Sequence, residues 1–283
     1  MERVTTFLPE ATVLGFTLSF SFPYPHRCHM FYRFLLTSLV LASVVGCGEK
    51  NPLTKEQQKI KQELQDEGIK VHGTEVLDID LRGSTKVTPE LLQKIISFGK
   101  ISYLNLSDSN ITDEGMAILK DASSVETLFL TGTKITDAGL EPLVGLSGLI
   151  ILHLPDTITD EGFKHVGEIT TLKTLSAERC QITDDGMAHL ANMSELSWLK
   201  LNHTAVSDKG LDAIKDLTTL HTLELMNTKI TDRGLLSLSG LSKLNSLEMT
   251  GCDLSDEAVQ ALRKELPDTE IVNGIELTNT GAL

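Results

Sequence analysis

Ile111-Thr112-Asp113-Glu114-Gly115 returns as Ile135-Thr136-Asp137-Ala138-Gly139 and again as Ile182-Thr183-Asp184-Asp185-Gly186. Relaxed to an aliphatic residue, Thr or Ser, then Asp, the pattern begins at Ile111, Ile135, Ile158, Ile182, Val206, Ile230 and Leu254. The intervals are 24, 23, 24, 24, 24 and 24 residues, and a degenerate copy, Val87-Thr88-Pro89, lies another 24 upstream. Self-similarity at a fixed period of 20–50 residues is the mark of a solenoid. Ahead of the copies stand short alternating runs such as Leu104-Asn105-Leu106, Leu128-Phe129-Leu130, Leu199-Lys200-Leu201 and Leu223-Glu224-Leu225. In a strand this alternation sends the leucines to one face and the residues between them to the other. Behind the copies, Met116 with Leu119, Leu140 with Leu143 and Leu235 with Leu238 are three residues apart, the spacing of one helix face. Each unit therefore reads as strand, turn and helix.

These units resemble leucine-rich repeats from residue 77 to about 272. The 24-residue Ile-Thr-Asp-x-Gly-Leu form is most similar to the cysteine-containing subtype of F-box proteins, and similar repeats occur in bacterial surface and lipid-anchored proteins. The resemblance implies an α/β fold: a single right-handed horseshoe solenoid of about eight repeats over 73–272, with a parallel concave sheet and convex helices.

Within a unit, each recurring residue has a physical role. Thr112, Thr136, Thr159, Thr183, Ser207, Thr231 and Ser255 are placed to cap helix N-termini by accepting from orphan amides. The aspartates that follow, Asp113 to Asp256, fall in the first turn and complement the helix dipole. That capping rule explains the aspartate column without a calcium ladder, so no metal is expected. The glycines at Gly115, Gly139, Gly162, Gly186, Gly210 and Gly234 fit close strand–helix packing, and no phosphate-binding glycine motif occurs.

Cys180 and Cys252 share a phase with Thr133, Thr204 and Thr228. In leucine-rich repeats this is the ladder position, where a small polar side chain bonds the turn backbone. The two cysteines are three repeats apart, roughly 14 Å at about 4.8 Å per strand, too far for a disulfide. They are expected to be free, buried and structural.

The outward strand positions form three columns, and solenoids use this face for binding. Most of its residues are small and polar. The exceptions are Tyr103, Phe129, Ile151, His153, Trp198 and Met226, with Lys200 beside the only tryptophan. Exposed aromatics are common interface anchors. Trp198, between Thr174 and Thr222, is expected to present an uncovered indole, with Phe129 and His153 extending the surface. Tyr103, Phe129, His153, Trp198, Lys200 and Met226 are thus the candidate protein-binding residues. His153 could act as a general base by type, but no nucleophile or carboxylate pair is arranged around it. No catalytic residue and no cofactor are expected.

The N-terminus carries a second signal. Residues 34–46 run thirteen residues without a charge, too short for a spanning helix but right for a signal-peptide core, with Arg27 and Arg33 ahead of it. Val44-Val45-Gly46-Cys47 resembles the bacterial lipobox. The resemblance implies cleavage before Cys47 and its lipidation, with 1–46 as the signal region. Met30 would open a compact signal, and residues 1–29 fit poorly before one. Residues 47–72 read as a polar tether or loosely packed cap helix, and 273–283 as a tail.

The chain has 25 Lys and Arg against 39 Asp and Glu, a formal charge of −14. That disfavours nucleic-acid binding, which needs a basic face. Four cysteines in 283 residues are too few for a disulfide-built scaffold. The favoured expectation is a non-catalytic, lipid-anchored scaffold of the bacterial cell envelope, facing periplasm or exterior and binding a protein. A ubiquitin-ligase-like substrate-recognition protein is the alternative, although 48–72 is too short to hold an F-box. An enzyme without a recognisable motif ranks third.

Overall fold

The leucine column that the alternation defines becomes the spine of the molecule. A computed structural model describes residues 53–274, apart from Glu67 and Thr74. The apolar segment 34–46, Met30, Cys47 and the tail 275–283 lie outside the described residues. Among the described residues, Ile79, Leu104, Leu128, Leu152, Leu175, Leu199, Leu223 and Leu247 are fully buried. They occupy equivalent places on strands β2 (Leu77–Asp80), β3 (Ile101–Asn105), β4 (Thr127–Phe129), β5 (Ile151–His153), β6 (Thr174–Ser176), β7 (Trp198–Lys200), β8 (Thr222–Glu224) and β9 (Ser246–Glu248). With β10 (Glu270–Val272) these strands pair in parallel, each with the next. Burying one such side chain contributes about 1.5–3 kcal/mol, and here the same contribution recurs in every repeat.

A second buried column comes from the segments behind the sheet. Met116 with Leu119, Leu140 with Leu143, Phe163 with Val166, Met187 with Leu190 and Leu211 with Ile214 all face the leucines. Among the described residues the α-helices are α1 (Lys55–Asp66), α2 (Pro89–Ser97), α3 (Asp113–Met116), α4 (Asp160–Glu168), α5 (Asp184–Met187), α6 (Asp208–Ile214) and α7 (Asp256–Glu265). Several of the convex helical segments are of the tighter kind: Ala117–Asp121, Asp137–Gly145, Ala188–Leu190 and Gly234–Leu238 are 3₁₀-helical. The i, i+3 spacing fits either form, because 3₁₀ turns of three residues align i with i+3. Pro142, inside Asp137–Gly145, also removes an amide that an α-helix would use.

The N-terminal end is closed by structure that the repeat pattern does not predict. β1 (Lys70–His72) pairs antiparallel with β2, matching Val71 to Ile79. α1 docks beside it: Leu64 is fully buried, Gln57 Nε2 donates to the Phe98 carbonyl at 2.8 Å, and Lys94 lies 3.0 Å from Glu63. Ile60 and Leu64 are the two apolar residues of this otherwise polar helix, which is why the segment reads as loosely packed from its sequence.

The 23-residue unit leaves the sheet unbroken. β5 and β6 keep their pairing, with Leu152 opposite Leu175, and one buried core runs through the repeats on both sides. What changes is the turn. A left-handed residue recurs at Gly83, Asp108, Gly132, Arg179, His203, Asn227 and Gly251, and the short turn at Pro155-Asp156-Thr157 has none. There the Thr157 hydroxyl bonds the Ile135 carbonyl, and Cys180 Sγ donates to the Pro155 carbonyl at 3.2 Å.

Candidate functional site

Strand register assembles the outward face as the sequence columns anticipate. Tyr103 pairs with Thr127, Phe129 with Asn105 and His153, and Trp198 with both Thr174 and Thr222. On three neighbouring strands the rings of Tyr103, Phe129 and His153 meet in a row. Their centroids are 5.5 Å apart between Tyr103 and Phe129 and 4.3 Å between Phe129 and His153, all tilted. Tilted contacts of this size are favourable beyond the area they bury. Each ring remains half-buried, so the row holds a rigid shape while keeping a face toward solvent. The Tyr103 hydroxyl also accepts from Asn105 Nδ2 at 3.2 Å, and Asn105 is fully buried.

Burial, reinforced by the Lys200 ammonium, pushes the His153 imidazole down to about 4, and Glu178 only partly opposes this. At neutral pH the ring is therefore uncharged and behaves as a small aromatic.

Trp198 differs from expectation. Its indole is half-buried, and Nε1–H donates to Glu224 Oε1 at 3.1 Å. Thr174 and Thr222 on either side of it are buried, and the carboxylate of Glu224 on the next strand reaches back to the ring. The same Glu224 accepts from Asn202 Nδ2 at 2.9 Å, and Lys200 lies 3.6 Å from it and 2.6 Å from Glu178. Met226 enters this cluster through its amide, which donates to Asn202 Oδ1 at 2.8 Å. Burial works against the Lys200 charge, but the Glu178 hydrogen bond and the two carboxylates outweigh it and hold the ammonium above the usual lysine range.

The six candidate residues thus fall into two groups. Tyr103, Phe129 and His153 form an aromatic row; Trp198, Lys200 and Met226 belong to a polar network centred on Glu224. Glu178 and Glu224 complete this network although neither stands out in the sequence. The signal that could have found them is opposite charge on adjacent strands, since Lys200 pairs directly with Glu224.

On the flank, the aspartate column has a larger role than helix capping. Oδ1 of Asp113, Asp137, Asp160, Asp184, Asp208 and Asp232 accepts the backbone N–H of the Thr or Ser one repeat later, at 2.7–2.8 Å. Oδ2 accepts the same residue's hydroxyl at 2.6–2.7 Å. The hydroxyls of Thr88, Thr159, Thr183 and Ser255 also cap their helices, whereas those of Thr112, Thr136 and Ser207 make no cap bond. The glycine column is explained by the same carboxylates. A Cβ at Gly139, Gly162, Gly186 or Gly234 would lie 2.3–2.5 Å from an aspartate Oδ1 of the previous repeat.

Among the described residues the two cysteines are free, but their burial differs: Cys180 is buried and Cys252 only half-buried, near the last repeat. Thr133, Thr204 and Thr228 bond carbonyls of their own turns at 2.7 Å. The sulfurs instead reach back one repeat, Cys180 to Pro155 and Cys252 to the Leu225 carbonyl at 3.1 Å.

A sequence model described as leucine-rich repeat matches residues 100–118, 122–144, 216–239 and 240–262. Those segments coincide with strand, turn and helix units of the continuous sheet. The fold is a leucine-rich-repeat solenoid. The chain is similar to the crystal structure of internalin C2 from Listeria monocytogenes, at 23% identity and a TM-score of 0.56, over 69% of this chain and 80% of that one. It also aligns with an internalin, inlF, from Listeria monocytogenes at 18% identity and a TM-score of 0.37, over 77% of this chain and 88% of that one. No curated protein matches the sequence.

Proposed function

We propose that this leucine-rich-repeat chain is a non-catalytic scaffold that grips a protein partner on its concave sheet, tethered through Cys47 to a bacterial membrane and facing away from the cytoplasm. The observation that carries the reading is the Tyr103–Phe129–His153 row, a preorganised aromatic strip across three adjacent strands. Rigid, half-exposed aromatics lose little conformational freedom on binding and supply large contact area. His153 is kept uncharged, so a partner covering it would not bury a cation. Trp198, whose indole N–H is already bonded to Glu224, lies at the margin of this surface.

Two experiments test the two halves of the proposal. A photoreactive residue at Thr127, which sits between Tyr103 and Ile151 on the sheet, should crosslink a protein in intact cells. The same residue at Lys120, exposed on the helical side, should not. Equal crosslinking from both places would contradict a concave binding site. Separately, Cys47→Ser should block processing or release the chain from the membrane fraction. Normal processing and fractionation would contradict the anchor.

A further inference from the structure

The charge of the molecule is unevenly spread along the solenoid. Residues 53–100 hold eight Lys and Arg against eight Asp and Glu, while residues 101–274 hold thirteen against twenty-seven. The neutral end is the cap, and its cations are gathered rather than dispersed. A groove of about 720 Å³ between β1, the first repeat's turn and α2 is lined by Lys70, Arg82, Lys86 and Lys94, with Asp80 and Glu90 as its acidic members. Lys70 lies 3.9 Å from Asp80, and Lys94 pairs with Glu63. Arg82 and Lys86 are exposed on the rim.

We propose that this groove rests on the phosphate headgroups of an anionic phospholipid bilayer and orients the solenoid on it, an inference that adopts the reading of Cys47 as the lipid anchor. Three observations carry it. The described chain starts at Leu53, six residues after Cys47, so an acylated Cys47 keeps the cap within about 20 Å of the bilayer. Phosphate-bearing headgroups complement the cationic rim, and the attraction acts over a Debye length of about 8–10 Å, so it favours orientations that bring the cap end to the surface. The remaining repeats carry the entire net negative charge of the chain and are repelled by the same surface. Strand stacking takes β10 about 40 Å from β2, so an upright solenoid holds its acidic end and its sheet clear of the lipid.

The test uses the full chain carrying Cys47→Ser, which cannot take acyl chains, co-sedimented with phosphatidylcholine vesicles or with vesicles containing about one-third phosphatidylglycerol. Any affinity of the 34–46 segment is common to all variants. The expected result is about ten-fold tighter association with the anionic vesicles, lost at about 0.5 M salt and in Arg82→Glu/Lys86→Glu. Arg82→Gln/Lys86→Gln should fall between the two, and guards against a charge-reversed chain that misfolds. Equal binding to both vesicles, or undiminished anionic binding by both double variants, overturns the proposal. Loss of the increment to free inorganic phosphate at constant ionic strength would mark a small-anion site and also overturn it. None of these outcomes depends on whether Cys47 is acylated, which cell fractionation decides separately.

Discussion

Asp160 holds Thr183 with both carboxylate oxygens, accepting the amide at 2.8 Å and the hydroxyl at 2.6 Å from one repeat to the next. The bond pair spans the interface that a solenoid depends on, because each repeat touches only its neighbours. Asp160→Ala should therefore lower stability by about 1–2 kcal/mol, the cost of leaving a charge-assisted pair unmade at a partly exposed site. Asp160→Asn, which keeps one acceptor, should lose less. Urea unfolding measures both. Equal stability of Asp160→Ala and the parent would reduce the aspartate column to helix-dipole decoration.

Gly186 tests the same rung from the other side. Its added Cβ would stand 2.3 Å from Asp160 Oδ1, so Gly186→Ala must push the carboxylate off Thr183. We expect a loss of about 1–3 kcal/mol. In an Asp160→Ala background most of that loss should vanish, since the colliding atom is gone. Strict additivity in the double-mutant cycle would show that the glycine serves some other contact.

His153 gives the fold a pH dependence with a definite sign. Burial depresses its folded pKa to about 4, below the ordinary value of 6.5, so the unfolded chain binds the proton first. The contribution is fully present above about pH 6.5 and is lost as pH falls toward 4, amounting to about 3 kcal/mol. His153→Phe keeps an aromatic ring in the row without the titration. Its stability should fall less than the parent's between pH 7 and about 4.5. Parallel curves would remove His153 as the source.

The two described cysteines should differ in reactivity. Burial, with smaller contributions from Asp156 and Asp137, pushes the Cys180 thiol up to about 12, and its sulfur is bonded to Pro155. Alkylation follows the thiolate and its access. Peptide-resolved labelling of the native protein should modify Cys252 well before Cys180, with Cys180 reacting only on unfolding. Early labelling of Cys180 would mean that the short turn beside it opens readily.

Much of this structure was legible in the repeat, because a period of 24 fixes which residues share a face. Leu104, Leu128 and Leu199 are buried, and the outward columns hold their register, for that reason alone. The 23-residue interval was legible too; the structure puts its lost residue in a turn, so Leu152 still meets Leu175. Three features were harder to read. The grip of Asp160 on Thr183 joins residues 23 apart, and single-repeat reasoning assigns both to their own helix. The β1–β2 pairing lies outside the period. The coverage of Trp198 depends on how far Glu224 can reach, which strand alternation does not specify. Side-chain length across a repeat boundary decides the first and last of these.

The claim that the aromatic row is the binding surface meets its most direct test in the affinity of the crosslinked partner for Phe129→Ala and Trp198→Ala, measured side by side with melting temperatures. Phe129 is the middle ring of the row, in contact with both neighbours. Phe129→Ala is predicted to weaken binding at least about 30-fold, the effect of losing an interface anchor. Trp198→Ala is predicted to lower stability by about 1–3 kcal/mol while changing affinity less than about five-fold. Full-affinity binding by Phe129→Ala, with the loss falling on Trp198→Ala instead, would contradict the account.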